Sequence, residues 1–104
     1  MEIRNIEPKV LWNHFADLNA VPRPSKKEER VIQFMLDFGK SLGLETKKDR
    51  IGNVIIKKPA TPGMENRQTI VMQSHIDMVH QKNSDTVFDF DTQGIEMYVD
   101  GDWV

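Results

Sequence analysis

Cysteine, long apolar runs and an excess of charge of one sign are all absent from this sequence. Without cysteine, the chain cannot form disulfides, thiolate metal sites or a cysteine nucleophile. No stretch approaches the roughly 18 consecutive apolar residues of a membrane-spanning helix, and residues 1–5 contain no apolar signal core. The formal net charge is -2, and basic residues are mixed with acidic ones, which argues against a nucleic-acid surface. We therefore expect a cytoplasmic protein that binds neither membranes nor nucleic acid.

The length and the composition fit one small domain or part of one. The chain has 104 residues, of which 38% are hydrophobic, and its mean hydropathy is -0.52. Domains usually contain about 100 to 150 residues. The apolar content is slightly low, which suits a segment whose partner layers lie elsewhere, but the apolar residues are patterned and disorder is not expected. No internal domain boundary is expected either.

Two helices are predicted in the first half of the chain. Pro8 in a first turn and apolar residues at near-helical spacing predict a helix over residues 8–19. Its apolar face would consist of Val10, Leu11, Phe15 and Leu18. Ser25 and Glu28 fit a capping box, so a second helix is expected to begin at Ser25 and to end near Gly43 in a left-handed cap. The apolar face of this second helix would consist of Val31, Phe34, Met35, Phe38 and Leu42.

Strands are predicted in the rest of the chain. Residues 44–51 and 53–58 would form two strands joined at Gly52 and Asn53, and the apolar run at residues 54–56 suggests burial on both faces. A surface loop at residues 59–67 would lead to a strand at residues 69–74. Short strands at residues 87–91 and 95–99 and a turn at residues 100–102 would follow. We expect an α/β fold with helices packed on a mixed, mostly parallel sheet.

The run Gln73-Ser74-His75-Ile76-Asp77 follows the predicted strand at residues 69–74. Alternate side chains on an extended backbone point to the same face, so His75 and Asp77 are predicted to project together. An imidazole that binds zinc is neutral, and a carboxylate or carbonyl normally accepts a hydrogen bond from its other ring nitrogen. The pair therefore suits a metal ligand with a supporting carboxylate, although a three-residue pattern alone is weak.

With the residues around it, Ser74-His75-Ile76-Asp77-Met78-Val79-His80-Gln81-Lys82-Asn83 resembles a known metal-site motif. It is similar to the first such motif of the zinc aminoacylase, aminopeptidase and carboxypeptidase-G metallopeptidases, and within that family to an aminoacyl-histidine dipeptidase of the peptidase D type. The resemblance runs from the helix near Leu11 to Trp103. It implies that His75 binds one of two zinc ions and that Asp77, in the catalytic site, orients this imidazole. It further implies that the complete enzyme cleaves dipeptides such as aminoacyl-histidine and is a homodimer.

The resemblance also implies that the remaining metal ligands and the general base lie beyond Val104. Residues 1–104 would then be the N-terminal portion of a single metallopeptidase catalytic domain, which alone neither binds zinc tightly nor hydrolyses dipeptides. Two alternatives stay open. One is a noncatalytic α/β interaction module in which His75 and Asp77 are merely hydrogen-bonded, and the other is a related metallopeptidase that acts on tripeptides or acylated amino acids.

Several other polar residues carry weaker hypotheses. His80 either contacts the substrate or the metal region or lies in a solvated loop, and it is left unassigned. His14 is expected to be a half-buried structural residue of the first helix. The aspartates after Asn83 lack the spacing of a calcium loop and are expected in solvated turns. They are Asp85, Asp89, Asp91, Asp100 and Asp102.

Overall fold

Regular secondary structure occupies the first part of the chain in the computed structural model, which describes residues 2–104. In chain order it comprises one turn of 3-10 helix at Ile3–Asn5, helices α1 (Lys9–Asn19) and α2 (Glu29–Ser41), and strands β1 (Glu45–Lys48) and β2 (Val54–Lys57). Contacts divide the described residues into two compact units. The first unit contains the residues up to Val31 together with Asp77–Val104, and the second contains Ile32–Ile76.

Helix α1 confirms the predicted helix, but its buried face differs from the predicted one. Pro8 is the N-cap residue, and Ala16 and Asn19 are the buried positions. The larger apolar residues Val10, Leu11 and Phe15 are exposed. At Asn19, backbone covers the last turn of α1, since the amide N–H of Ile95 donates to the carbonyl of Asn19 at 2.8 Å. The apolar spacing contains no signal for this contact with a distant segment.

Helix α2 begins at Glu29, four residues later than predicted, so the capping box at Ser25 was wrong. Pro24 and Lys27 close a turn instead, with the amide N–H of Lys27 donating to the carbonyl of Pro24 at 2.9 Å. Within this turn Lys26 has a φ of 75°. The Ser25 hydroxyl donates to a carboxylate distant in sequence, and Ser25 lies four residues before the first residue of α2. The left-handed cap at Gly43 is confirmed by a φ of 69°.

The predicted inward face of α2 is largely confirmed. Val31 is fully buried, and Phe34, Met35 and Phe38 are half-buried. Leu42 lies beyond the end of the helix and is exposed, contrary to the prediction. Gly39 is buried, and a Cβ atom at this position would lie 3.1 Å from Cδ1 of Ile56 in β2. Helix α2 therefore approaches the hairpin within the second unit.

Strands β1 and β2 form the predicted hairpin, with shorter strands than expected. They are antiparallel, with Glu45 opposite Lys57 and Lys48 opposite Val54. Asp49 closes the connection, because its Oδ1 accepts hydrogen bonds from the amide N–H groups of Ile51, Gly52 and Asn53 at 2.8 to 2.9 Å. Burial alternates along β2 and Ile55 is exposed, so the prediction that both faces are buried was wrong.

The later strands that the sequence predicts are not formed. Residues 69–74, 87–91 and 95–99 have no strand assignment, and Ile70, Val71 and Met72 are all more than 80% exposed. An extended segment becomes a strand only when a neighbour satisfies its backbone groups, and the described residues provide no such neighbour for residues 69–74. The surface loop at 59–67 and the turn at 100–102 are confirmed. No helix within residues 2–104 has the length and the apolar character to cross a membrane.

Candidate active-site residues

Backbone pairing holds the chain immediately after Asp77. Pro24 and Met78 form an isolated parallel bridge. The amide N–H of Met78 donates to the carbonyl of Arg23 at 2.8 Å, and the amide N–H of Ser25 donates to the carbonyl of Met78 at 3.0 Å. All of these residues belong to the first unit. The prolines at 22 and 24 favour the extended conformation that this pairing requires.

The carboxylate of Asp77 is half-buried and is held by Ser25. The Ser25 hydroxyl donates to Oδ2 of Asp77 at 2.6 Å, while the carbonyl oxygen of Met78 lies 3.2 Å from the same hydroxyl. A distance of 2.6 Å is typical of a charge-assisted hydrogen bond, which is stronger than a bond between neutral groups. The orientation of the Asp77 side chain is therefore restrained from the turn that precedes α2.

Arg23 adds a positive charge near enough to Asp77 for the two groups to interact electrostatically. Its Nη2 donates to Oδ1 of Asn19 at 2.7 Å. Partial burial lowers the pKa of Arg23, and the negative charge of Asp77 acts in the opposite direction. Asn19 is buried, and its Nδ2 lies 3.1 Å from Sδ of Met97. Polar contacts thus extend from the region of Asp77 to the end of α1.

His75 is exposed and belongs to the second unit, whereas Asp77 belongs to the first. The predicted alignment of this imidazole with the carboxylate of Asp77 therefore stays a prediction. Within residues 2–104, no three side chains of histidine, cysteine, aspartate or glutamate are grouped so that they could hold a metal ion. A catalytic zinc ion takes about three protein ligands. The described residues therefore do not form a complete zinc site by themselves, and the role of His75 as a ligand stays a prediction.

His80 and the later aspartates lie in the first unit. The ring of His80 is exposed and meets Phe90 edge to face, with 6.2 Å between the ring centroids. Asp91 forms an exposed ion pair with Lys27 at 2.8 Å. In a neighbouring turn, Oδ2 of Asp89 accepts a hydrogen bond from the hydroxyl of Thr92 at 2.8 Å. The prediction of solvated turns for these aspartates is confirmed, since all five are exposed.

Other residues of this region differ from their predicted roles. His14 is exposed on α1, so the expectation of a half-buried histidine was wrong. Sequence reasoning missed Arg23 and Ser25, on either side of Pro24, as neighbours of Asp77. The two prolines were the available signal, because they mark a segment held extended and able to pair with another. Asn19 gave no signal, because two of its partners, Ile95 and Met97, lie far away in the sequence.

Comparison with known proteins supplies the context for these residues. No protein-family model matches the sequence. Over 103 residues, or 99% of this chain, it is 45% identical to the cytosol non-specific dipeptidase of Escherichia coli (strain K12), and the match covers 21% of that protein. The crystal structure of aminoacylhistidine dipeptidase from Vibrio alginolyticus matches 97% of this chain with a TM-score of 0.91 and 46% sequence identity. The match covers 21% of the Vibrio chain.

Both comparisons confirm the resemblance that the motif predicted, and the structural match confirms the α/β fold class. The chain spans about a fifth of the length of these relatives. The two-stranded hairpin and the flanking helices therefore correspond to a limited part of a larger α/β structure. By sequence and by fold, the chain is related to one segment of dipeptidases that include an aminoacylhistidine dipeptidase.

Proposed function

We propose that this chain is part of the catalytic domain of a zinc-dependent dipeptidase that hydrolyses dipeptides of the aminoacyl-histidine type. The observation that carries the proposal is the 45% identity to a dipeptidase over 99% of the chain, which includes His75 and Asp77. Residues 1–104 would form one portion of a single catalytic domain. The complete enzyme would be a cytoplasmic homodimer with two zinc ions, and the name of the E. coli relative supports the compartment.

In this proposal His75 is a zinc ligand and Asp77 orients its ring. A zinc ion supplies Lewis-acid polarisation of the scissile carbonyl and an activated water at neutral pH. The exposure of His75 supports its role, because a metal ion can reach an exposed imidazole. The restrained carboxylate of Asp77 supports the second role, because a carboxylate held in one orientation can fix the tautomer and direction of a neighbouring imidazole. The other ligands would come from residues outside this chain.

The proposal is tested by substituting His75→Ala in the complete enzyme that contains this chain. Zinc content after dialysis and hydrolysis of an aminoacyl-histidine dipeptide are both expected to fall sharply, while the circular dichroism spectrum is retained. His14→Ala is the matched control, because this histidine is also exposed but lies on α1. Normal zinc content and activity in the His75 variant would support the noncatalytic alternative. Loss of zinc together with a preference for tripeptides or acylated amino acids would keep the metal role and change the substrate class.

The isolated chain provides a second test. Because a catalytic zinc ion needs about three ligands, residues 1–104 alone are expected to retain less than stoichiometric zinc after dialysis and to hydrolyse no dipeptide. Near-stoichiometric zinc with turnover of an aminoacyl-histidine dipeptide would contradict the assignment of the remaining ligands to residues outside the chain.

A further inference from the structure

Ser25 is joined to Asp77 by a direct side-chain hydrogen bond across 52 sequence positions. The distance from its hydroxyl oxygen to Oδ2 of Asp77 is 2.6 Å. Distances of 2.5 to 2.7 Å are typical of hydroxyl donors to ionised carboxylates, and such bonds are about twice as strong as neutral ones. This serine is therefore more than a surface residue of the turn before α2.

The backbone around Ser25 places its hydroxyl at the carboxylate. The hydrogen bonds between Met78 and the backbone of Arg23 and Ser25, at 2.8 and 3.0 Å, fix the two segments in register. On the other side of Ser25, the turn closed by Pro24 and Lys27 restrains the chain. Since both main chains are held, rotation of the short Ser25 side chain alone is enough to form or break its bond to Asp77. The contact is preorganised by these bonds.

We propose that Ser25 is a positioning residue that holds the Asp77 carboxylate in the orientation needed to direct the imidazole of His75. The inference rests on the proposed function. A carboxylate offers about four acceptor positions, so it can accept hydrogen bonds from the hydroxyl of Ser25 and from an imidazole N–H at the same time. Groups that orient a metal-ligating histidine typically change metal affinity or activity by 10- to 100-fold when they are removed. Ser25 acts one contact further away, and its removal is expected to lower zinc affinity about 10-fold.

The experiment measures zinc affinity, by competition with a chelator, in the complete enzyme that contains this chain. Ser25→Ala is expected to weaken zinc binding about 10-fold, whereas Ser25→Thr, which keeps the hydroxyl, stays close to wild type. Thr92→Val is the matched control, because Thr92 also donates to an aspartate Oδ2, at 2.8 Å, but in the exposed turn at Asp89. This control is expected to leave zinc affinity unchanged. If Ser25→Ala fails to fold, the comparison of Ser25→Thr with Ser25→Val isolates the hydroxyl.

A double-mutant cycle separates positioning from a merely structural role. If Ser25 acts through Asp77, Ser25→Ala causes no further loss of zinc affinity once Asp77→Ala is present. An equal loss in both backgrounds, or wild-type affinity in Ser25→Ala, would overturn the inference. The proposed function fails separately, when His75→Ala leaves zinc binding intact. Loss of zinc in His75→Ala together with no effect in Ser25→Ala would refute only the positioning role.

Discussion

Gly94 packs against the last turn of α1, and there is no room for a methyl group at this position. A Cβ atom at this position would lie 2.7 Å from the carbonyl oxygen of Asn19, and 2.8 Å from both the Cα and the carbonyl oxygen of Ala20. Contacts under 3.0 Å are essentially never seen for real Cβ atoms. All three neighbours are backbone atoms, which cannot rotate away as the tip of a side chain can. Gly94→Ala must therefore push the chain away from α1.

The expected loss of stability follows from two effects of that shift. Forcing extra volume into a packed site costs about 1 to 3 kcal/mol. The shift also stretches the hydrogen bond from the amide of Ile95 to the carbonyl of Asn19, now 2.8 Å, which satisfies a carbonyl at the helix end. Such a bond contributes about 0.5 to 1.5 kcal/mol. Together they predict that Gly94→Ala lowers the free energy of unfolding by about 1.5 to 4.5 kcal/mol.

Urea unfolding followed by circular dichroism tests this prediction. The midpoint is expected to fall, with little change in the slope of the free energy against urea concentration. Gly63→Asn is the control, because Gly63 has a φ of 89° with nothing within 4 Å of an added Cβ, and asparagine tolerates that conformation. The control is expected to remain within about 1 kcal/mol of wild type. A Gly94→Ala variant as stable as wild type would refute the close approach of Gly94 to α1.

Three further predictions concern stability, acidity and association. Asn19→Ala removes buried hydrogen bonds, including the one from Arg23, and is expected to lower the free energy of unfolding by about 1 to 3 kcal/mol; an unchanged urea midpoint would contradict this. Hydrogen bonds, of which the one from the Asn53 side chain has the largest effect, lower the pKa of Asp49. The ionised carboxylate therefore stabilises the hairpin fully at pH values above the unfolded aspartate pKa of about 3.9. This stabilisation is lost as the pH falls through the lower pKa of the folded state. Amide exchange at residues 51–53 should accelerate over that acid range beyond its intrinsic pH dependence, and Asp49→Ala should abolish the extra change; equal profiles would refute the role. The contiguous apolar run at residues 70–72 is exposed, so the isolated chain is expected to self-associate through it. Val71→Lys should reduce this association in sedimentation experiments, whereas Val87→Lys, at an exposed valine outside the run, should not; equal association in the two variants would contradict this.

The elements that local signals predicted are those whose stability is local. Helix α1, the glycine cap of α2 and the β1–β2 hairpin follow from apolar spacing, positive φ and turn residues within a few positions. The prediction failed where a distant segment decides the outcome. Ser25 and Glu28 fit a capping box by sequence, but the turn closed by Pro24 and Lys27 places the start of α2 at Glu29, and the Ser25 hydroxyl donates to Asp77. Residues 69–74 have strand-forming composition but no neighbouring strand within the described chain.

The same distinction between local signals and distant contacts applies to the residues of the candidate site. His75 and Asp77 are adjacent to an apolar stretch and carry a motif, so the sequence identifies them as candidates without any knowledge of distant contacts. Ser25, Arg23 and Asn19 become relevant through their contacts to one another or to residues far along the chain. A single sequence contains no direct record of such contacts. For this reason the groups that restrain Asp77 emerged only with the three-dimensional structure.

The pairing of Arg23–Ser25 with Met78 also has a consequence for the order in which the protein folds. Closing a loop of the 52 positions between Ser25 and Asp77 costs about 3.5 kcal/mol of chain entropy plus a constant, before any contact repays it. The hairpin at residues 45–57 closes a much shorter loop and can form early. Asp77 would then acquire its final orientation late, in the same cooperative event that brings the two halves of the first unit together. A nascent chain would therefore contain the motif at His75 and Asp77 before Ser25 holds the Asp77 carboxylate in its final orientation.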